Sequence, residues 1–274
     1  MSIRKAAVAG SWYPGTSDRL GAEVDHHLAL AAPDWEGDVT AVIAPHAGLR
    51  YSGPVAACAY KTLRGRRYEV AVLVGPSHHV GFDGVAICLR GAFETPLGMV
   101  PIAESFAVAI ARAATCVSEH PTAHVREHSL EMQLPFLQRV LPEAPIVPLV
   151  MGYQTRETVG DLAQALSTAL SGRTALLVAS TDLSHYYDAA TAARLDGRVM
   201  DHVRVFDAEG LQDTLAAFPQ HACGGGPAVA VMHAARRLGA QDARVLRYAD
   251  SGDVSGDKDA VVGYLAAAFG TLRG

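Results

Sequence analysis

With 274 residues, 50% of them hydrophobic and 19% charged, the chain is long enough for one large core or two small ones. A net charge of -5 supplies no basic excess to neutralise phosphates, which argues against a nucleic-acid partner. No apolar run approaches the roughly 18 residues of a membrane span. No basic-then-apolar leader opens the chain, and none of Cys58, Cys88, Cys116 and Cys223 forms a C-x-x-C pair, so a reducing cytoplasm is the expected setting.

Ala6–Ala9 reads as a strand that turns at Pro14-Gly15, with Trp12 and Tyr13 capping a core or lining a pocket. A helix is predicted from Ser17, on the four-residue spacing of Leu20, Val24 and Leu28, with His26 and His27 on its surface. Ala41–Ala44 is a buried strand that runs into Pro45-His46-Ala47-Gly48. Gly48–Pro54 then reads as a tight loop, with Pro54 in the first turn of a helix through Tyr60. Val70–Val74 is a second buried strand, ended by Gly75-Pro76 and followed by His78 and His79. Val85–Leu89 is a strand, Ala92–Gly98 a loop and Glu104–Ala114 a helix.

The segment Glu127–Pro135 places His128 and Glu131 on one face if it is helical. Two carboxylates and a histidine there suit metal binding or proton relay, and equally a solvated helix start. Ala144–Val150 is a strand whose prolines suggest an edge or irregular position. Thr155 caps a helix through Leu170, stopped by Gly172. Ala175–Ala179 is a third buried strand, leading to Asp182 and His185. Helices follow at Arg194–His202 and Ala208–Phe218, and Pro227 and Gly239 frame another. Cys223 precedes that helix, where the dipole favours a thiolate, and Gly224–Gly226 would let backbone approach a ligand. Arg244–Ala249 and Asp259–Phe269 are strands joined by the loop Asp250–Asp257.

Strands alternating with helices throughout predict a single α/β domain over 1–274, an α/β/α sandwich on a mixed, largely parallel sheet. One histidine past a strand end is commonly a packing residue. Three such strands, ending at His46, His78 and His185, point instead to a site, because ligands of open α/β sheets bind at the strands' C-terminal ends.

Five motifs in order carry a family resemblance: Ala44-Pro45-His46-Ala47-Gly48, Gly75-Pro76-Ser77-His78-His79, Glu127-His128-Ser129-x-Glu131-Met132, Ser180-Thr181-Asp182-x-x-His185 and Cys223-Gly224. With Ala9–Tyr13 they make the chain similar to the Memo family, whose prokaryotic members are often named AmmeMemoRadiSam system protein B. The resemblance implies a fold like that of class III extradiol dioxygenases, which use non-haem Fe(II). It implies His46, His78 and Cys223 as metal ligands and His185 as the acid–base histidine; Asp182, three residues before His185, is expected to orient that ring or tune its pKa. Trp12 and Tyr51 fall where that family lines its pocket, and His79, Glu127 and His128 are further substrate-binding candidates. A thiolate in place of the dioxygenases' carboxylate departs from the facial triad. Leu49-Arg50 after His46-Ala47-Gly48 departs from the Memo pattern.

The resulting expectation is a non-haem oxidoreductase holding Fe(II), with copper or zinc as the next choices. The alternative is a non-enzymatic adaptor that binds a peptide or small molecule in the same pocket. Radical-SAM and AMMECR-type proteins are the partners that the family's prokaryotic name implies.

Overall fold

The computed structural model describes residues 2–273. Twelve strands are described: β1 (Ile3–Arg4), β2 (Gly37–Ala44), β3 (Val70–Pro76), β4 (Val85–Ile87), β5 (Ala92–Thr95), β6 (Gly98–Pro101), β7 (Val117–Glu119), β8 (Ile146–Met151), β9 (Ala175–Ser180), β10 (His185–Tyr187), β11 (Asp242–Asp250) and β12 (Val261–Leu272). The main sheet runs β10-β12-β2-β9-β3-β8-β4-β7, with β11 also paired to β12. Its centre, β2-β9-β3-β8, is parallel. The β12 pairs and the β8–β4 pair are antiparallel.

The central strands are apolar without alternation because both faces are covered. All seven residues of β3, and all six of both β8 and β9, are buried. Helices Ser17–Leu30, Leu49–Lys61 and Leu134–Val140 form one layer, and Glu104–Ala113, Arg156–Ala169, Ala189–Arg204, Ala208–Ala217 and Gly225–Arg237 form the other. The arrangement is the expected α/β/α sandwich. Among the described residues, no helix is long and apolar enough to cross a membrane, and the four cysteines are free.

Register sets up the site. Ala44 of β2 pairs with Ser180 of β9, and Ala179 of β9 with Val74 of β3, so three parallel strands end level. The chain segments that follow them carry His46, Asp182 with His185, and His78. Gly75, near the end of β3, admits a neighbour: a Cβ there would lie 2.7 Å from Ser129 Oγ.

Several local expectations are overturned. The first strand is Ile3–Arg4, parallel to β5, while Ala9 only bridges Tyr13. The predicted loop Ala92–Gly98 is instead the start of the β5–β6 hairpin. The predicted loop after Gly48 is helical from Leu49, and Pro54 sits inside that helix, where its missing N–H removes a single backbone bond. β8 is an interior strand despite Pro148, which pairs with Leu73 of β3 but lies just beyond Leu149, where the β4 ladder ends. His27 is half-buried against Gly53 rather than on the surface. Asp188 caps a helix longer than foreseen, Ala189–Arg204. Gly252–Ser255 forms a short helix inside the predicted acidic loop.

Candidate metal centre

His46 is 2% exposed. Its Nδ1 lies 2.8 Å from Ser180 Oγ. Ser180 Oγ donates its own proton to Ser129 O at 2.6 Å, so it accepts from His46 Nδ1–H and leaves Nε2 with a free lone pair. Gln133 Nε2 also donates to Ser180 Oγ, at 2.8 Å, and Gln133 Oε1 accepts from Tyr60. A buried polar relay therefore fixes the ring of His46.

His78 is held by Glu127. Oε1 accepts from its Nδ1 at 2.9 Å and Oε2 from its backbone N–H at 2.6 Å. Oε1 also accepts the backbone N–H groups of His128 and Ser129, each at 2.9 Å. Burial alone would raise the Glu127 carboxyl, but the His78 hydrogen bonds and charge outweigh it and hold it well below the usual carboxylate range. Glu127, expected to face a ligand, is thus spent on ordering His78 and His128. Glu131 points elsewhere: it is fully buried and accepts from Arg4, Tyr13 and the amides of Ala7 and Val8. The segment that could have been a solvated helix start is buried throughout Glu127–Gln133.

One ligand atom from each of His46, His78 and His128 lies within 4.8 Å of the others, a group that could hold a metal ion. Ring centroids are 5.1 Å apart for His46–His78, 5.6 Å for His46–His128 and 4.5 Å for His78–His128. Cys223 Sγ lies 3.3 Å from His46 Nε2. Burial, then the charges of His78 and His128, keeps His46 neutral, well below the ordinary histidine range. Burial and His78 bring His128 down to about 4. Neutral imidazoles with one nitrogen tied and one free are what a metal requires.

Cys223 differs from its expected state. Burial, then the Asp182 charge, pushes its thiol up to about 12. The helix dipole and the Asp182 N–H, 3.3 Å from Sγ, do not offset that. Without a cation the group is a thiol. Gly224 and Gly226 also play a different part, since their N–H groups donate to Thr181 Oγ1 and Gln154 Oε1 and are not free for an anion. A Cβ on Gly224 would lie 2.3 Å from Ser180 O, so packing requires that glycine.

Asp182 does not orient His185. Its Oδ1 accepts from the backbone N–H of His46 at 2.8 Å, and burial raises its carboxyl to about 7, opposed by the amides of His46 and Ala47. His185 Nδ1 is instead 2.8 Å from Leu183 O, which puts the proton on Nδ1 and leaves Nε2 as an acceptor. Burial lowers the His185 pKa, and the charge of His78 adds to this.

Trp12 is 38% exposed and its ring lies 4.3 Å from His128. His79 is exposed, 5.9 Å from His128. Tyr51 is also exposed, with the Arg50 guanidinium 5.7 Å from its ring. Sequence reasoning missed Arg4, Gln133 and Gln154 as supports. The available signal was polar Glu131 and Gln133 alternating with apolar Leu130, Met132 and Leu134, which marks buried polar groups with distant partners.

A family model described as Memo-like protein matches residues 4–268. A MEMO1 family protein of Methanothermobacter thermautotrophicus is 39% identical over 272 residues, covering 96% of this chain and 98% of the relative. A MEMO1 family protein of Pyrobaculum aerophilum is 38% identical over 279 residues, covering 98% and 99%. Among solved structures, the crystal structure of uncharacterized protein JW3007 from Escherichia coli K12 matches with a TM-score of 0.55 and 14% identity, covering 85% of this chain and 100% of that one. At that identity the likeness is one of fold alone.

Proposed function

The chain belongs to the Memo-like protein family, and from that premise we propose that it is a metal-dependent oxidoreductase in which His46, His78 and Cys223 hold Fe(II) or copper. The observation that carries this reading is the 3.3 Å separation of His46 Nε2 and Cys223 Sγ. Two ligands of one tetrahedral ion stand roughly 3.5 Å apart when the bonds are about 2.0–2.3 Å. The donors also fit the group chemically: His46 and His78 each tie Nδ1 to a protein acceptor, leaving Nε2 free. A nitrogen and sulfur set favours iron, copper or zinc over magnesium or calcium. A bound Fe(II) or copper ion supplies one-electron chemistry and a Lewis acid.

The chain's own groups do the rest. His185 Nε2 takes a proton from a substrate hydroxyl, while Leu183 O holds its Nδ1–H. Trp12 shields the cluster on the His128 side. Asp182 anchors the loop that carries His46.

One observation favours a second reading, a ligand-binding protein without turnover. His128 offers a ligand atom within 4.8 Å of those of His46 and His78. With Cys223 it would complete a closed, four-ligand site, and closed sites are structural. Metal analysis of anaerobically purified protein separates the two. The oxidoreductase reading expects one equivalent of iron or copper, lost in His78→Ala and kept in His128→Ala and His185→Ala, with turnover lost only in the last of these two. Loss of metal in His128→Ala to the extent seen in His78→Ala would select the closed site.

A further inference from the structure

A cavity of about 410 Å³ adjoins the Cys223 loop. Cys223 lines it, whereas His46, His78 and His128 do not. Its walls come from helices Arg156–Ala169, Ala208–Ala217 and Gly225–Arg237, with apolar surface from Val159, Leu215 and Val229. The volume lies within the range of small-molecule sites, about 300–1,000 Å³.

Charge and hydrogen bonding narrow the ligand. The cation on the wall, Arg156, is already paired with Glu209 at 3.0 Å and with Asp213. An anionic ligand would have to displace those carboxylates. Gln154 is also committed: its Nε2 donates to Cys223 O at 2.7 Å and its Oε1 accepts from Gly226 N at 2.6 Å. Gln212 lines the same cavity, and its amide has no protein partner among the described residues. The Gln212 amide therefore offers both donor and acceptor beside the apolar surface, and the Tyr153 hydroxyl is the other lining side-chain group without a partner among the described residues.

We propose that this cavity is a second binding site, for a neutral and largely apolar small molecule with one amide-like edge that pairs with Gln212. Gln154 is shared between the cavity wall and the Cys223 carbonyl, so an occupant bears directly on the loop that positions the thiol. The site does not depend on the metal reading, because its walls are complete without the histidines.

The test is a titration of ¹⁵N-labelled, metal-free full chain with acetanilide, which joins one ring to one amide, and with benzoate as the charged control. Acetanilide is expected to give saturable shifts at the Gly225 and Gly226 amides, with a Kd on the order of 1 mM for so small a probe. Benzoate is expected to bind at least about tenfold more weakly. Ala216→Phe, an exposed helix position at the cavity wall, should abolish the shifts. Gln212→Leu should weaken binding about tenfold, and it keeps the test decisive if the phenylalanine variant misfolds. Absence of saturation at Gly225 and Gly226, equal binding of benzoate, shifts confined to the Trp12 and His128 side, or indifference to both substitutions would overturn the proposal.

Discussion

The two sides of the candidate metal centre are built differently. On the histidine side, each supporting group is a buried side chain with its proton placed. Ser180, Gln133 and Tyr60 form a relay behind His46, and the Glu127 carboxylate takes four donors from His78, His128 and Ser129. On the cysteine side, support comes from backbone, one amide and one hydroxyl: Gln154 clamps Cys223 O to Gly226 N, Thr181 Oγ1 accepts from Gly224 N–H, and Asp182 N–H faces the sulfur. His46 and His128 are neutral and ready, whereas the thiol keeps its proton until a cation displaces it. Preorganisation is thus uneven, and on the proposed reading the thiolate would form with metal binding rather than precede it.

The strongest way to break that contrast is to undo the frame of the histidine side. Glu131→Ala would strand Arg4 in the core and free the segment that carries Trp12 and Tyr13. Losing one partner of a buried pair costs about 3–5 kcal/mol, read as a lower urea midpoint. A cost under about 1 kcal/mol would mean that the N-terminal segment is not anchored there.

Next comes Glu127→Gln, which keeps one acceptor but removes the charge that orders His78 and His128. Loss of such a support typically lowers metal affinity about 10–100-fold. Competitive chelation would measure it, with the fold retained by circular dichroism. Unchanged affinity would show that the carboxylate serves stability alone.

The cysteine side is sharpened by pH. The Cys223 thiol sits at about 12 in the protein, above its ordinary value near 9, so at neutral pH binding must expel one proton. His46 contributes none, being already neutral. Affinity for zinc should therefore rise as pH rises, about tenfold per unit below the thiol's pKa. In Cys223→Ala this part of the dependence should vanish. A wild-type profile as flat as the variant's would place the sulfur outside the coordination sphere.

The smallest effect concerns Tyr186, 77% exposed at φ 65 next to His185. Tyr186→Gly removes the strain of a left-handed side-chain residue and should raise stability by up to about 1 kcal/mol, read as a higher melting temperature. A drop would mean that the ring contributes packing that outweighs the strain.

The sandwich was legible because buried parallel strands announce themselves as unbroken apolar runs, as at Val70–Val74 and Ala175–Ala179. That His46 and His78 lie close was foreshadowed by their places just past two strands whose ends are level, and the third member of the histidine group, His128, follows no such strand. Elements that depend on distant partners were not. The Ile3–Arg4 strand needs β5, and β8 tolerates Pro148 because its ladder with β4 ends at Leu149. Roles were less visible still. Asp182 serves His46 rather than the nearby His185, and Glu127 reaches across 49 residues to His78, pairings that spacing cannot reveal.

The most direct measurement is X-ray absorption at the metal edge of iron- or copper-loaded protein. With His46, His78 and Cys223 as ligands, the first shell contains one sulfur at about 2.3 Å and two imidazole nitrogens at about 2.0–2.1 Å, and Cys223→Ala removes the sulfur. A first shell of nitrogen and oxygen alone in the wild type would contradict the account and hand the third position to His128.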